Sequence, residues 1–109
     1  MLATGADLRR IALALDGTTE APHVDRAAFK VKRIYVTLAA DSRTANLKRT
    51  PDEQEFKVMM APELFQAIDN AWGRQGWTTI TLAAASEGEL RAALEMAYAH
   101  AVAGPKKKR

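Results

Sequence analysis

From Phe29 to Leu38 the chain keeps a period of two, and this constrains its fold more than any other feature. Phe29 and Val31 alternate with Lys30 and Lys32, and Ile34, Val36 and Leu38 alternate with Tyr35, Thr37 and Ala39. Both runs suit half-buried strands, whose side chains point to opposite faces in turn. If Lys32-Arg33 is a two-residue turn, Val31 faces Ile34 and Phe29 faces Val36 on one side, with Lys30 beside Tyr35 on the other. Lys-Arg lacks the glycine or asparagine that such turns favour. Asp41-Ser42 reads as a turn. Residues 43–49 form a further run, with Ala45 and Leu47 inward and Thr44, Asn46 and Lys48 outward. Residues 77–83 repeat the pattern, with Thr78, Ile80 and Leu82 on one face and Trp77, Thr79 and Thr81 on the other.

Helices bracket these strands. Leu8, Ile11, Ala12 and Leu15 make one apolar stripe that Thr4 or Asp7 could cap and Asp16-Gly17 stops. Thr50-Pro51-Asp52-Glu53 joins a capping threonine, a proline at the first helical position and a glutamate three residues on, so a helix is expected from Pro51 to about Met60. This helix could lie across part of the outer sheet face. Glu63 to Ala71 is read as a short turn or helix. Ser86-Glu87-Gly88-Glu89 opens a last helix along Leu90, Ala93, Leu94, Ala97 and Ala101, which Gly104-Pro105 ends. The expected architecture is α+β: an antiparallel sheet of about five strands with the N- and C-terminal helices packed on one face.

The length of 109 residues predicts one domain over residues 1–104, with 105–109 a disordered basic tail. That domain is long enough to bury a core without staples. The chain has no cysteine, which removes disulfides, thiolate nucleophiles and thiolate metal sites. No signal-peptide pattern or membrane-length apolar run is present, so a cytoplasmic protein with no membrane association, a monomer, is expected. The formal charge is +3, but the last five residues alone carry four cations, so the remainder is slightly acidic. Residues 21–50 are net +5 and residues 51–72 net −4, which leaves a local basic segment followed by an acidic one.

Ala71-Trp72-Gly73-Arg74-Gln75-Gly76-Trp77 holds both tryptophans of the chain. Gly73 is expected to supply a positive backbone dihedral and Gly76 a second turn. Trp72 is expected to plug the core edge beneath this loop, its indole N–H bonded to backbone. Trp77 falls in phase with the outward residues. If helices cover one side of the sheet, the other offers Lys30, Tyr35, Thr37, Asn46, Lys48, Trp77, Thr79 and Thr81, with His23 and Arg74 at its rim. Cationic side chains neutralise phosphates and aromatic faces stack on bases. Lys30, Tyr35, Lys48, Arg74 and Trp77 are therefore the candidate nucleic-acid contacts and His23 a candidate ligand residue; an ordinary solvated sheet face is the alternative.

Catalytic readings find less support. Glu20-x-x-His23 could be an acid/base pair, but three residues along a strand put the two side chains on opposite faces. His23 and His100 have no partner at metal-ligand spacing. Ser86 caps a helix and Ser42 belongs to a turn. Neither an enzyme, a metal site nor a cofactor is expected.

The ordered set Glu20-x-x-His23 with Pro22, Phe29-Lys30-Val31, Ile34 to Leu38, Asn46-Leu47-Lys48, Ala71-Trp72-Gly73 and Gly76-Trp77 resembles the MmcQ/YjbR family of small bacterial proteins, over roughly residues 6–103. The resemblance implies a fold similar to the bacterial frataxin CyaY and a predicted DNA-binding role with a double-wing motif. Lys32-Arg33 departs from the glycines common there. Frataxin's iron chemistry is not implied, because its acidic ridge on the first helix is replaced here by Asp7 and Asp16 beside Arg9 and Arg10. The resulting expectation is a nonenzymatic domain that binds DNA or RNA through the basic face. A protein-interaction or small-ligand module is the alternative.

Overall fold

A computed structural model describes residues 2–103; the expected basic tail lies outside the described residues. Helix α1 (Gly5–Ala14) is followed by strands β1 (Thr19–His23), β2 (Arg26–Lys30), β3 (Ile34–Leu38) and β4 (Thr44–Lys48). Helix α2 (Pro51–Met60), strand β5 (Phe65–Ala67), the short helix α3 (Ala71–Arg74), strand β6 (Trp77–Thr81), a 3-10 turn and helix α4 (Glu87–Ala103) complete the chain. The strands form one antiparallel sheet in the order β1-β2-β3-β4-β6-β5.

Each long helix starts on a reciprocal cap. Thr4 and Asp7 act together at α1, Thr50 and Glu53 at α2 with Pro51 in the first turn, and Ser86 and Glu89 at α4. Each pair satisfies two backbone N–H groups that a helix start leaves open. α1 and α4 then cover one face of the sheet. Leu8 and Ile11 from α1 and Leu90, Leu94 and Ala97 from α4 meet Phe29, Val36, Leu47 and Ile80 in the core. The alternation in β4 and β6 holds, with Ala45, Leu47, Thr78 and Ile80 buried between partly exposed neighbours.

Three expectations need correction. The sheet has six strands. β5, which lies in the stretch read as turn or helix, is three residues long and buries only Phe65, too short to show an alternation. β1 is exposed at every residue and holds Pro22, as an edge strand can. α2 packs on β5 and β6, with Phe56 and Met60 sharing a hollow with Ala92 and Met96 of α4, so it lies on the covered side and leaves the outer face clear.

The third correction concerns Tyr35. Phe29 pairs with Val36 as expected, but Lys30 pairs with Ile34, which leaves Tyr35 as the extra residue of a β-bulge. A bulge resets the phase of the strand that carries it. Tyr35 therefore turns inward and is fully buried. Its hydroxyl lies 2.8 Å from Thr18 Oγ1 and donates to the Ala12 carbonyl at 3.4 Å, and its ring meets Tyr98 edge-on at 5.7 Å. Burial raises the pKa of this phenol.

Candidate functional site

That bulge turns Ile34 to the open side, where Thr37 already lies in phase. With Asn46 and Trp77 they underlie a hollow of about 370 Å³. His23 and Arg26, from the β1–β2 hairpin, line it together with Ile68 and Asn70, from the segment joining β5 to α3, and Trp72 of α3.

Its polar groups are held in place. Arg26 crosses the sheet to Thr37, donating from Nε to Oγ1 at 2.8 Å and from Nη2 to the backbone carbonyl at 3.2 Å. Thr79 donates to Asn46 Oδ1 at 2.7 Å, which fixes the orientation of the amide. Asn70 caps α3, its Oδ1 accepting from the backbone of Trp72 at 2.8 Å and of Gly73 at 3.2 Å.

The two tryptophans sit on either side of a turn clamped by residues distant in sequence. Gln54 of α2 donates to the Gly73 carbonyl at 2.9 Å and the Trp77 carbonyl at 2.8 Å. Lys48 Nζ donates to the carbonyls of Arg49 at 3.0 Å and Gln75 at 2.8 Å. Gly73 is required by close approach, since a Cβ there would meet the Ile68 carbonyl oxygen at 1.5 Å; its backbone dihedral is not positive, contrary to expectation. Gly76 combines φ +107° with a Cβ position 1.8 Å from the Arg49 carbonyl oxygen. The segment that concentrates both tryptophans is thus a backbone-packed turn.

Trp72 is not the core plug expected of it. It is 60% exposed, while Trp77 is half-buried. The backbone around position 72 is fixed by Asn70, Gly73 and Gln54, so the turn needs no burial of the indole to stay in place.

Of the residues singled out from sequence, Trp77 and His23 line the hollow. Lys30 is exposed on the same face, paired in register with Ile34, and Arg74 is exposed at the end of α3, two residues from Trp72. Lys48 is spent on the turn; partial burial lowers its pKa, Glu53 opposes that and Arg33 adds to it. Tyr35 faces away and cannot touch a ligand here. Arg26 was missed because the strand reading began at Phe29, although residues 26, 28 and 30 share one phase. Glu20 turns from His23 to Arg9, 2.8 Å away, as the three-residue offset requires. Among the described residues no helix is long and apolar enough to cross a membrane.

Set beside known proteins, the chain matches the YjbR family model over residues 13–100. The chain belongs to the YjbR family. Its fold is that of the Deinococcus radiodurans protein DR2400, a DUF419 domain, whose crystal structure superposes with a TM-score of 0.76 over 89% of this chain and 77% of that one. At 23% identity that likeness concerns the fold, an α+β domain with an antiparallel sheet. No curated protein matches the chain.

Proposed function

We propose that this chain is a nonenzymatic single-strand nucleic-acid-binding domain that takes an unpaired base into the open-face hollow. The exposure of Trp72 beside Trp77, on a turn clamped from three directions, carries the reading. An aromatic face held rigidly in solvent stacks on a base with little ordering cost, and such a stack contributes about 1–3 kcal/mol per base. The Asn46 amide and His23 ring supply hydrogen-bonding groups for a base edge, and Arg26 a charge for the backbone. Lys30 and Arg74, exposed nearby, supply further phosphate contacts. A single strand is favoured over a duplex because paired bases keep their faces stacked away from protein.

The test is anisotropy of a labelled single strand and its duplex across a salt series, for the full chain, a 1–104 truncation and Trp72→Ala. Single-strand binding that survives truncation and drops about tenfold in Trp72→Ala supports the reading. Binding that vanishes with the tail and ignores Trp72 rejects it. One observation favours a second reading, a small aromatic ligand with no nucleic acid: Arg26 is the sole permanent charge lining the hollow. That reading predicts affinity nearly independent of salt.

A further inference from the structure

A second hollow, of about 580 Å³, opens on the covered side, beyond the ends of β3 and β4. Arg33, Lys48 and Arg49 line it with Thr50 and His100, and Tyr35, Ala97 and Ala101 supply apolar wall. Arg49 is the unusual member. It is only 1% exposed, and it is the largest of the fully buried side chains. Its Nε has no hydrogen-bond partner, its Nη1 meets Met96 Sδ at 3.1 Å and its guanidinium lies 4.8 Å from the centre of the Phe65 ring, both residues of the adjoining hollow beside α2 that Arg49 also lines. Among the described residues no carboxylate forms an ion pair with it.

A buried cation without an anion at contact distance is costly, and a sulfur and an aromatic face offset that only in part. Burial lowers the Arg49 pKa, with Glu53 opposing from a distance. Glu53 is itself committed: it accepts from the Thr50 backbone at 3.0 Å and lies 3.0 and 3.1 Å from His100 Nε2. Asp52 also lines the hollow, so a single lining carboxylate faces the cations of Arg33, Lys48 and Arg49. The remaining positive charge calls for an oxyanion from outside the chain.

We propose that this hollow binds a phosphate group, with Arg33 and Arg49 as its charged partners and Thr50 and His100 beside it. Guanidinium groups suit phosphate because they present paired N–H donors to its oxygens. The two hollows share only Ile34 among their lining residues, so the two proposals are tested separately.

The experiment is calorimetric titration of the full chain with inorganic phosphate and with glycerol 3-phosphate, at an ionic strength held constant with sodium chloride. Saturable binding is expected, weakened at least tenfold in Arg33→Gln and abolished in Arg49→Met. Arg33 is exposed, so Arg33→Gln decides the matter even if Arg49→Met does not fold. Tighter binding of the glycerol ester than of the free ion assigns the site to a phosphate monoester; the reverse assigns it to phosphate itself. Trp72→Ala leaves phosphate affinity unchanged. Absence of saturable binding to either probe, or equal affinity in wild type and Arg33→Gln, overturns the proposal.

Discussion

Tyr35 and Trp72 are large aromatic residues on opposite faces of one sheet, and the fold treats them in opposite ways. Tyr35 is fully buried with its hydroxyl satisfied by Thr18 and Ala12, whereas Trp72 is 60% exposed. Tyr35 is held by side-chain packing, so the residue and the structure around it stabilise each other. Trp72 is held by the backbone beneath it, through Asn70, Gln54 and two glycines packed against carbonyls. Order on the covered face is therefore a product of burial. Order on the open face is imposed by a turn whose own side chain contributes little to it. That division leaves the indole free for something else.

The contrast is broken most severely from the covered side. Leu94 is fully buried between α4 and the sheet. Leu94→Ala is expected to cost about 2–5 kcal/mol in urea unfolding, from lost transfer energy and a residual cavity. Ligand affinity per folded molecule should not change. If it falls with stability, the two faces are coupled more tightly than the backbone clamps imply.

Gly76→Ala attacks the turn itself. It forces an alanine to φ +107° and drives its Cβ into the Arg49 carbonyl. A non-glycine residue in such a conformation costs on the order of 1–3 kcal/mol before the clash is relieved. Here binding is expected to fall beyond what the unfolded fraction explains, because Trp72 and Trp77 lose their common frame. Hydrogen exchange localised to residues 70–77 would show it. A destabilised variant with wild-type affinity would separate the turn from the hollow.

Tyr35→Phe is the conservative probe of the covered face. It removes the hydroxyl shared with Thr18 and Ala12 and leaves the ring against Tyr98. A loss of about 0.5–1.5 kcal/mol is expected in denaturant, with no effect on single-strand affinity. Its placement also shows where sequence reasoning stops. The faces of β4 and β6 were legible because their alternation is unbroken from Thr44 to Lys48 and from Trp77 to Thr81. Nothing in Ile34-Tyr35-Val36 announces the bulge that turns Tyr35 inward, and the Lys32-Arg33 turn gave only a weak sign that the pairing is irregular. β5 is too short to carry a period. Trp72 was misread for a different reason: its exposure depends on Gln54, in a helix far along the chain, whose reach to Gly73 and Trp77 no local pattern records. Trp77 falls on the open face as expected because strand phase alone decides its side.

The link between the two regions runs through α2, and acid tests it. Burial pushes the Glu53 pKa up, but the Thr50 backbone N–H, the His100 ring and the Arg49 charge together hold it below its ordinary value of 4.5. A carboxyl depressed in the folded state stabilises it above the unfolded pKa, and that contribution is lost as pH falls through the folded value. Wild type should therefore lose Tm progressively as pH drops below about 4.5, while Glu53→Gln starts lower at neutral pH and falls less steeply. Parallel Tm profiles would remove Glu53 as the titrating group. If tryptophan fluorescence shifts over the same acid range in wild type alone, α2 transmits its loosening to the clamped turn through Gln54.

Trp72→Ala is expected to have the smallest effect on stability and to separate the two regions most sharply. The side chain buries little, so the change in urea unfolding should stay within about 0.5 kcal/mol, the usual range for surface sites. Affinity for a single strand should drop about tenfold, equivalent to about 1.4 kcal/mol of binding energy, within the range of one lost stack. No covered-face substitution should produce that pairing of unchanged stability with lost binding. Should Trp72→Ala instead destabilise by 2 kcal/mol or more, the indole supports the turn as Tyr35 supports the core. The open face would then be a second packing surface, and its hollow a by-product of building the turn.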